Sequence, residues 1–513
     1  MRKIRKALIS VSNKKELGFV LKNLKRYKIE VISSGGTFKE IKRLGYKCLE
    51  LSKYTGFPEI LDGRVKTLHP KIHAGILSKR NNKKHTKELK NNNFSGIDLV
   101  IVNFYPFENV LKKTNDSKKI IENIDIGGPT LVRAAAKNYN DVTVITDLKY
   151  YKNLINELNS NKGFTSLEFR KEMSEIAFTE TAYYDSVISN YFSINSKKIF
   201  KEKKIIYGKL LKELRYGENP HQKAILYSKN NNIGLDQLSG KELSYNNYGD
   251  IFSSLSISKS LPKNVGTVIV KHSNPCGVSL NRNHKKSYNL ALSSDPISAF
   301  GGVVCCNFKI NVSIAKELYK NFYEVVIGNG IEKKALKILK KRKNLRLIDS
   351  SKLNTIYSES ISFNNSNFLV QNTDNLKLSL KNFKVVSKRK PNSKMMNNLI
   401  STFNICRFVK SNGIVISNGD STIGIGSGQP SRLDSCKIAI EKMKKFYKKN
   451  DNEDIIAASD AFFPFVDGIE KLAQAGVTAI VQPFGSIRDK EIIKFANDMN
   501  LILVFSKTRH FKH

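Results

Sequence analysis

Apolar and polar positions along the N-terminal part of the chain switch repeatedly between strand-like and helix-like patterns. Ala7 to Val11 is a short, largely apolar run of strand length, and Asn13 to Tyr27 follows with Leu17, Val20, Leu21 and Leu24 at helical spacing. Asn13 and Glu16 have the spacing of a capping box at the start of that helix. Ile29 to Ile32 predicts a second strand, after which Ser33-Ser34-Gly35-Gly36-Thr37 leads into a helix through Leu44. Leu99 to Asn103 and Val142 to Thr146 supply further strands. Strands separated by helices predict a parallel sheet with a binding crevice at the strands' carboxyl ends.

Farther along, Val265 to Val270 reads as a buried strand, followed at once by Lys271-His272-Ser273-Asn274-Pro275-Cys276-Gly277. An ammonium group and an imidazole thus sit where a strand exits into a Pro/Gly turn. Histidine takes up a proton near neutral pH, and a neighbouring lysine steadies developing negative charge. Two readings stand side by side: a proton-handling pair, or a surface Lys and a core His capping a turn.

Three loops of the first sheet have the makings of an anion site. Ser34-Gly35-Gly36-Thr37 lets backbone approach an anion at a helix start, where N–H groups are unpaired. Ser10-Val11-Ser12-Asn13-Lys14 sits on another strand-to-helix turn, and Gly63-Arg64-Val65-Lys66-Thr67-Leu68-His69-Pro70 gathers two cations and a hydroxyl. Each alone also fits an ordinary turn, the first of them capped by Thr37 and Glu40. Together they point to a phosphorylated ligand. Asp125-Ile126-Gly127-Gly128-Pro129-Thr130 introduces a helix carrying Lys137. Asp125 and Lys137 could meet only through tertiary folding, as an ion pair or as a catalytic dyad.

Composition bounds these readings. A chain of 513 residues holds roughly three domain-sized units or two large ones. Its formal net charge of +42 would ordinarily raise nucleic-acid or membrane binding, but the lysines are scattered among asparagines rather than gathered into a stripe. The cysteines (Cys48, Cys276, Cys305, Cys306, Cys406 and Cys436) form no C-x-x-C pair or metal-type cluster, so a reduced, cytoplasmic protein is expected. The apolar part of the N-terminus is too short for a signal peptide, and no segment approaches a transmembrane length.

Ser-Val-Ser-Asn-Lys, Ser-Gly-Gly-Thr, Gly-Arg-Val-Lys-Thr-Leu-His-Pro, Asn103-Phe104-Tyr105-Pro106-Phe107 and Asp-Ile-Gly-Gly occur in the order seen in IMP cyclohydrolases. Beyond a polar stretch near Ser196 to Lys204 come Leu214-Arg215-Tyr216-Gly217-Glu218-Asn219-Pro220, the Lys271–Gly277 segment, Ser294-Asp295-Pro296-Ile297-Ser298-Ala299-Phe300-Gly301-Gly302 and Lys410-Ser411-Asn412. Gly424 to Arg432, Ser459-Asp460-Ala461-Phe462-Phe463-Pro464-Phe465 and Thr508-Arg509-His510-Phe511-Lys512-His513 complete the series. In this collinear order, over nearly the whole chain, the sequence resembles the bifunctional AICAR transformylase/IMP cyclohydrolase family. The resemblance implies an α/β protein: a methylglyoxal-synthase-like parallel-sheet domain over 1–195, then a transformylase region over 196–513 built of two cytidine-deaminase-like units, with a low-complexity segment near 357–390.

It also implies two reactions, formyl transfer from 10-formyltetrahydrofolate to AICAR giving FAICAR, then closure of FAICAR to IMP with loss of water. For formyl transfer the matching residues are His272 as base, Lys271 as charge stabiliser and Asn412 as orienting amide. Arg215, Tyr216, Arg432 and Arg509 match nucleotide contacts, and Gly301, Phe462, Phe465, Asp467 and His513 match the folate and base pocket. For ring closure they are Lys66, Tyr105, Asp125 and Lys137, with Ser12, Lys14, Ser34, Gly36, Thr37, Arg64, Thr67 and Gly127 around the phosphorylated substrate. The resemblance further implies a homodimer, small-molecule substrates only, no catalytic metal, and neither nucleic acid nor membrane as partner.

The chain departs from the family in places. Gly330 stands where members carry an Asp that contacts the AICAR base, and Phe484 replaces a glycine near the folate site. Two alternatives follow, a cyclohydrolase with a weakened transformylase half and a basic nucleic-acid-binding protein on an enzyme fold.

Overall fold

The run Lys6–Val11 becomes the central strand of a five-stranded sheet because its residues are almost wholly buried and helices cover both faces. In a computed structural model, which describes residues 1–194, 200–229, 232–353, 359–448 and 453–513, the chain divides into two compact units, Met1–Gly208 and Lys209–His513. The expected boundary at 195/196 and the first part of the polar stretch lie outside the described residues, as does Tyr357 at the start of the low-complexity segment.

In the first unit the strands run parallel in the order Leu49–Glu50, Glu30–Ser33, Lys6–Val11, Leu99–Asn103, Thr143–Ile145. The chain adds strands first on one side of Lys6–Val11 and then on the other. Such a reversal opens a crevice at the carboxyl ends of the central strands. The helix Leu17–Arg26 buries Leu17, Val20, Leu21 and Leu24 as its periodicity predicts, but it starts at Leu17, not at Asn13. The expected capping box does not form. Asn13 instead exchanges hydrogen bonds with the Asn103 side chain (2.9 and 3.1 Å), and its own Oδ1 accepts from the Lys15 amide.

The second unit holds two six-stranded sheets of one topology. The first runs Asp236–Ser239, Arg346–Asp349, Val325–Gly328, Val303–Cys306, Thr267–Lys271, Asn274–Ser279, and the second runs Phe383–Val385, Ile502–Ser506, Ala479–Pro483, Ile456–Ser459, Ile414–Ser417, Thr422–Gly426. Each pairs three parallel strands with antiparallel neighbours on both sides, in the same sequence order. The two repeats share one apolar core in which Val268 and Val270 meet Leu399, Phe403 and Val415. Their edge strands also meet: the Val278 amide donates to Thr422 Oγ1 (3.0 Å) and the Leu280 amide to the Asp420 carbonyl (2.7 Å).

Each repeat lays a helix, His284–Ser294 or Arg432–Phe446, so close on its last strand that only glycine fits beneath it. A Cβ at Gly277 would lie 1.9 Å from the Ala291 carbonyl oxygen, and one at Gly424 would lie 2.1 Å from that of Ala439. Among the described residues no helix is long and apolar enough to cross a membrane. Gly277→Ala should destabilise the second unit by about 1–3 kcal/mol or more, since backbone rather than a movable side chain blocks the methyl group. A lowered urea midpoint for that unit, with the first unit's transition unmoved, is the expected result.

Candidate functional sites

In the first unit the predicted loops gather at the carboxyl edge of the sheet. Ser12 to Lys14 follows the central strand, Ser34 to Thr37 follows Glu30–Ser33, and Tyr105 lies just beyond Asn103. Two cations reach over the glycines: positions for Cβ atoms on Gly35 and Gly36 lie 3.6 Å from Lys66 Nζ and 3.5 Å from Lys14 Nζ. Gly35 has a φ of 51°, a left-handed value that suits glycine where backbone turns into the helix. This corner carries positive charge against a helix start, the arrangement an anion requires.

Asp125 stands beside it, before the helix Gly127–Lys137. Its Oδ1 accepts from the Gly128 amide (2.8 Å) and its Oδ2 from the Tyr105 amide (3.4 Å). Burial pushes the Asp125 carboxyl above its ordinary value, with those amides and Lys66 pulling the other way. Thr67 packs so tightly on Gly127 that a Cβ there would lie 2.4 Å from its hydroxyl. Lys66, Thr67, Tyr105, Asp125 and Gly127 therefore share one neighbourhood.

Three predicted contacts are placed otherwise. The Thr37 hydroxyl is buried and bonded to the Val11 amide and carbonyl (3.0 Å each), so it ties helix to strand and does not cap the helix. Arg64 is paired with Glu122 at the surface. Lys137 is exposed at the far end of the helix that Asp125 introduces, so about 15 Å of helix separates the two. The structure brings Asp125 to Lys66, not to Lys137.

In the second unit the Lys271 strand does not exit into a Pro/Gly turn. It returns as Asn274–Ser279 through a tight hairpin whose turn residues, His272 and Ser273, have φ values of 52° and 60°. Pro275 and Gly277 belong to the returning edge strand, where a register shift accommodates a proline without an amide proton. The left-handed turn is held from below by the helix Tyr245–Ser260. Asp250 Oδ1 accepts from the Ser273 amide (2.6 Å), and Ser253 Oγ donates to the Ser273 carbonyl (2.9 Å). Lys271 Nζ donates to the Phe300 carbonyl (2.9 Å), next to Gly301.

The same helix also reaches the loop that follows two of the expected nucleotide contacts, Arg215 and Tyr216. Near its start, Asn246 donates to the Glu218 carbonyl (3.1 Å), which anchors the loop after Arg215 and Tyr216. Arg215 lies over the Tyr216 ring and donates to its hydroxyl (2.9 Å).

The second repeat contributes Asn412. Its Nδ2 donates to the Gln429 and Pro430 carbonyls (2.9 Å each), and its Oδ1 accepts from Arg432 Nη2 (2.7 Å). Arg432, expected at a phosphate, is buried and occupied: Nη1 donates to Ser459 Oγ (2.8 Å) and pairs with Asp460. Its place in this site is behind Asn412. Phe462, Phe465 and Asp467 follow Asp460, with Arg488 over the Phe465 ring, and Phe484 is exposed at the end of the neighbouring strand.

The tail packs against the same loop. The Ser411 amide donates to the Lys512 carbonyl (2.9 Å) and the His510 amide to the Asp460 carbonyl (3.0 Å). His510 is buried against Phe403 and bonded to Asp374, leaving Arg509 and His513 exposed on either side. Burial works against the Asp374 carboxylate, yet the His510 hydrogen bond and the Arg407 charge hold it below its ordinary range.

Asp250, Asn274, Asp374 and Asp460 were not anticipated. Asp460 had a signal, a carboxylate directly after the apolar strand Ile456–Ser459. Asp374 had none, lying in the weakly patterned segment.

Comparison with known proteins places the chain in a family. A family model described as the AICARFT/IMPCHase bienzyme matches residues 135–442, and one described as an MGS-like domain matches 16–130. The chain is 42% identical over 524 residues to the bifunctional purine biosynthesis protein PurH of Acetivibrio thermocellus, covering 99% of this chain and 100% of that one. Identity to the protein of that name is 43% over 522 residues in Persephonella marina, covering 99% and 100%. It is 44% over 527 residues in Buchnera aphidicola subsp. Schizaphis graminum, covering 99% of each chain. With both units accounted for, the chain belongs to the AICARFT/IMPCHase bienzyme family, and is an enzyme of purine biosynthesis that is both an AICAR formyltransferase and an IMP cyclohydrolase.

Proposed function

We propose that the two reactions are divided between the units, with formyl transfer in the second and ring closure in the first. The observation that carries this reading is the convergence, within the second unit, of the Lys271–His272 turn, the Lys410–Asn412 loop and the Arg509–His513 tail. The cosubstrate is a folate, 10-formyltetrahydrofolate. The AICAR amine is conjugated with its ring and is a poor nucleophile, so His272 takes its proton as it attacks the formyl carbon. Lys271, fixed by the Phe300 carbonyl, steadies the oxyanion, and Asn412 orients the formyl group. The bond from the formyl carbon to the folate nitrogen then breaks, that nitrogen takes up the proton held by His272, and FAICAR and tetrahydrofolate leave.

In the first unit the FAICAR carboxamide nitrogen attacks the formyl carbon within one molecule, so holding the two arms together supplies much of the acceleration. Lys66 steadies the negative charge on the formyl oxygen, which gains the proton from the amide and a second from the formylated nitrogen, and departs as water when its bond to carbon breaks. Asp125 takes the amide proton, and Tyr105 flanks the reacting amide. Ser12, Lys14, Ser34 and Gly36 form the phosphate end.

The active species is a homodimer in this reading. Gly330 follows the strand Val325–Gly328, whose last residue pairs through Cys306 with Thr267, at the opposite end of that strand from Lys271. The position matching a base contact thus lies more than about 13 Å from Lys271 along the strand direction, which a second copy of the chain would reconcile. A cytoplasmic setting is supported by six cysteines that remain free thiols.

Lys66→Ala and Asp125→Asn should each slow ring closure by about 100-fold or more while leaving formyl transfer intact, and His272→Ala should do the reverse. Separate steady-state assays of the two steps check this, and equal loss of both activities in any of the three variants would overturn the division. Because burial raises Asp125, it takes up a proton at higher pH than a free aspartate, and as a base it works only when ionised. The ring-closure rate should therefore fall on acidification before the ordinary aspartate range is reached, and this limb should vanish from the residual rate of Asp125→Asn. Arg432→Met leaves Asp460 buried without its partner and should cost about 3–5 kcal/mol in a denaturation measurement.

A further inference from the structure

The two loops that meet in the formyl-transfer site belong to different repeats, and one side chain touches both. Asn274, the first residue after the His272–Ser273 turn, points its Nδ2 at the His272 carbonyl (3.4 Å), while its Oδ1 accepts from the Lys410 amide (3.1 Å). Lys410 lies two residues before Asn412, whose amide is itself fixed on both sides by the Gln429 and Pro430 carbonyls and by Arg432. The turn carrying His272 is of a kind that favours Asn-Gly, yet it is built of His and Ser with both φ values positive. Asp250 and Ser253 hold that turn onto its own repeat. Asn274 adds a side-chain link from the turn to the other repeat.

We propose that Asn274 is the positioning residue that sets the separation and orientation of His272 relative to Asn412 during formyl transfer; this rests on the roles given above to those two residues. Asparagine suits the task because it presents a donor and an acceptor at opposite corners of one planar group. Aspartate would keep the acceptor for Lys410 and lose the donor to His272. Serine is too short to span the two loops. A base and an orienting amide displaced by as little as about 1 Å lose roughly 100-fold in rate, so this modest pair of hydrogen bonds has leverage over the chemistry.

The test is a double-mutant cycle on the full chain, following formyl transfer and ring closure separately. Asn274→Ala should lower the formyl-transfer kcat about 10- to 100-fold, leave the AICAR KM within about twofold, and leave ring closure unchanged. Asn274→Asp, which keeps the shorter contact, should recover most of that loss. In an Asn412→Ala background the further cost of Asn274→Ala should largely disappear, because the bridge acts through the residue already removed. If the two costs multiply in full, or if Asn274→Ala acts only on KM, the bridge is overturned while the reading of the site stands. If Asn412→Ala alone leaves formyl transfer at the wild-type rate, the reading of the site fails and the bridge with it. Asn274→Ser is carried through the same cycle, so that an alanine variant that folds poorly does not decide the outcome.

Discussion

A single carboxylate organises the second repeat. Asp460 is fully buried at the end of the strand Ile456–Ser459, where an unpaired charge would be intolerable. Its Oδ1 pairs with Arg432, and its Oδ2 accepts from Ser411 Oγ (2.6 Å) and the Gly413 amide (2.9 Å). Its backbone carbonyl receives the His510 amide. A helix, a loop and the C-terminal tail are thereby fixed to one point. Arg432 in turn holds Asn412, so the orientation of the Asn412 amide depends on a buried charge pair. Such pairs contribute little net stability, and their value here lies in the orientation they impose.

What the chain shows on its face differs between the units. In the first, the parallel strands are apolar runs and the helices have an apolar stripe, so Leu99–Asn103 is found residue for residue and Leu17, Val20, Leu21 and Leu24 fall on the buried face. The start of that helix was misread because Asn13 has a better use, exchanging hydrogen bonds with Asn103 from a distant strand. Two like units were expected only from the family resemblance, and the duplicated topology of the second unit left no such trace in the periodicity. It resides in strand order and direction, while the side chains of Thr267–Val270 and Ile414–Ser417 share little beyond being apolar or small.

At the sites, the partners of single residues follow no pattern in the sequence. The family resemblance marks Arg432, Arg64, Thr37 and Lys137 as candidates, but it is silent on what each already touches. Two of these are tied to carboxylates, one to a backbone strand, and one lies at the far end of the helix that Asp125 introduces. Conversely, Asp250 and Asn274 act by hydrogen bonds to backbone atoms, which any sequence could supply and no pattern marks.

The twin sheets give the second unit two hairpin ends at matching strands, and only the first of them sets non-glycine residues at positive φ. Between Ser417 and Thr422 the second repeat turns through Asn418-Gly419-Asp420-Ser421, and the positive φ there, 92°, falls on a glycine. The first repeat places a histidine and a serine in that backbone region instead. Duplication thus leaves a contrast within one scaffold: the second copy closes over four residues and rests its one positive φ on glycine, while the first closes over two and puts the tension on an imidazole and a hydroxyl.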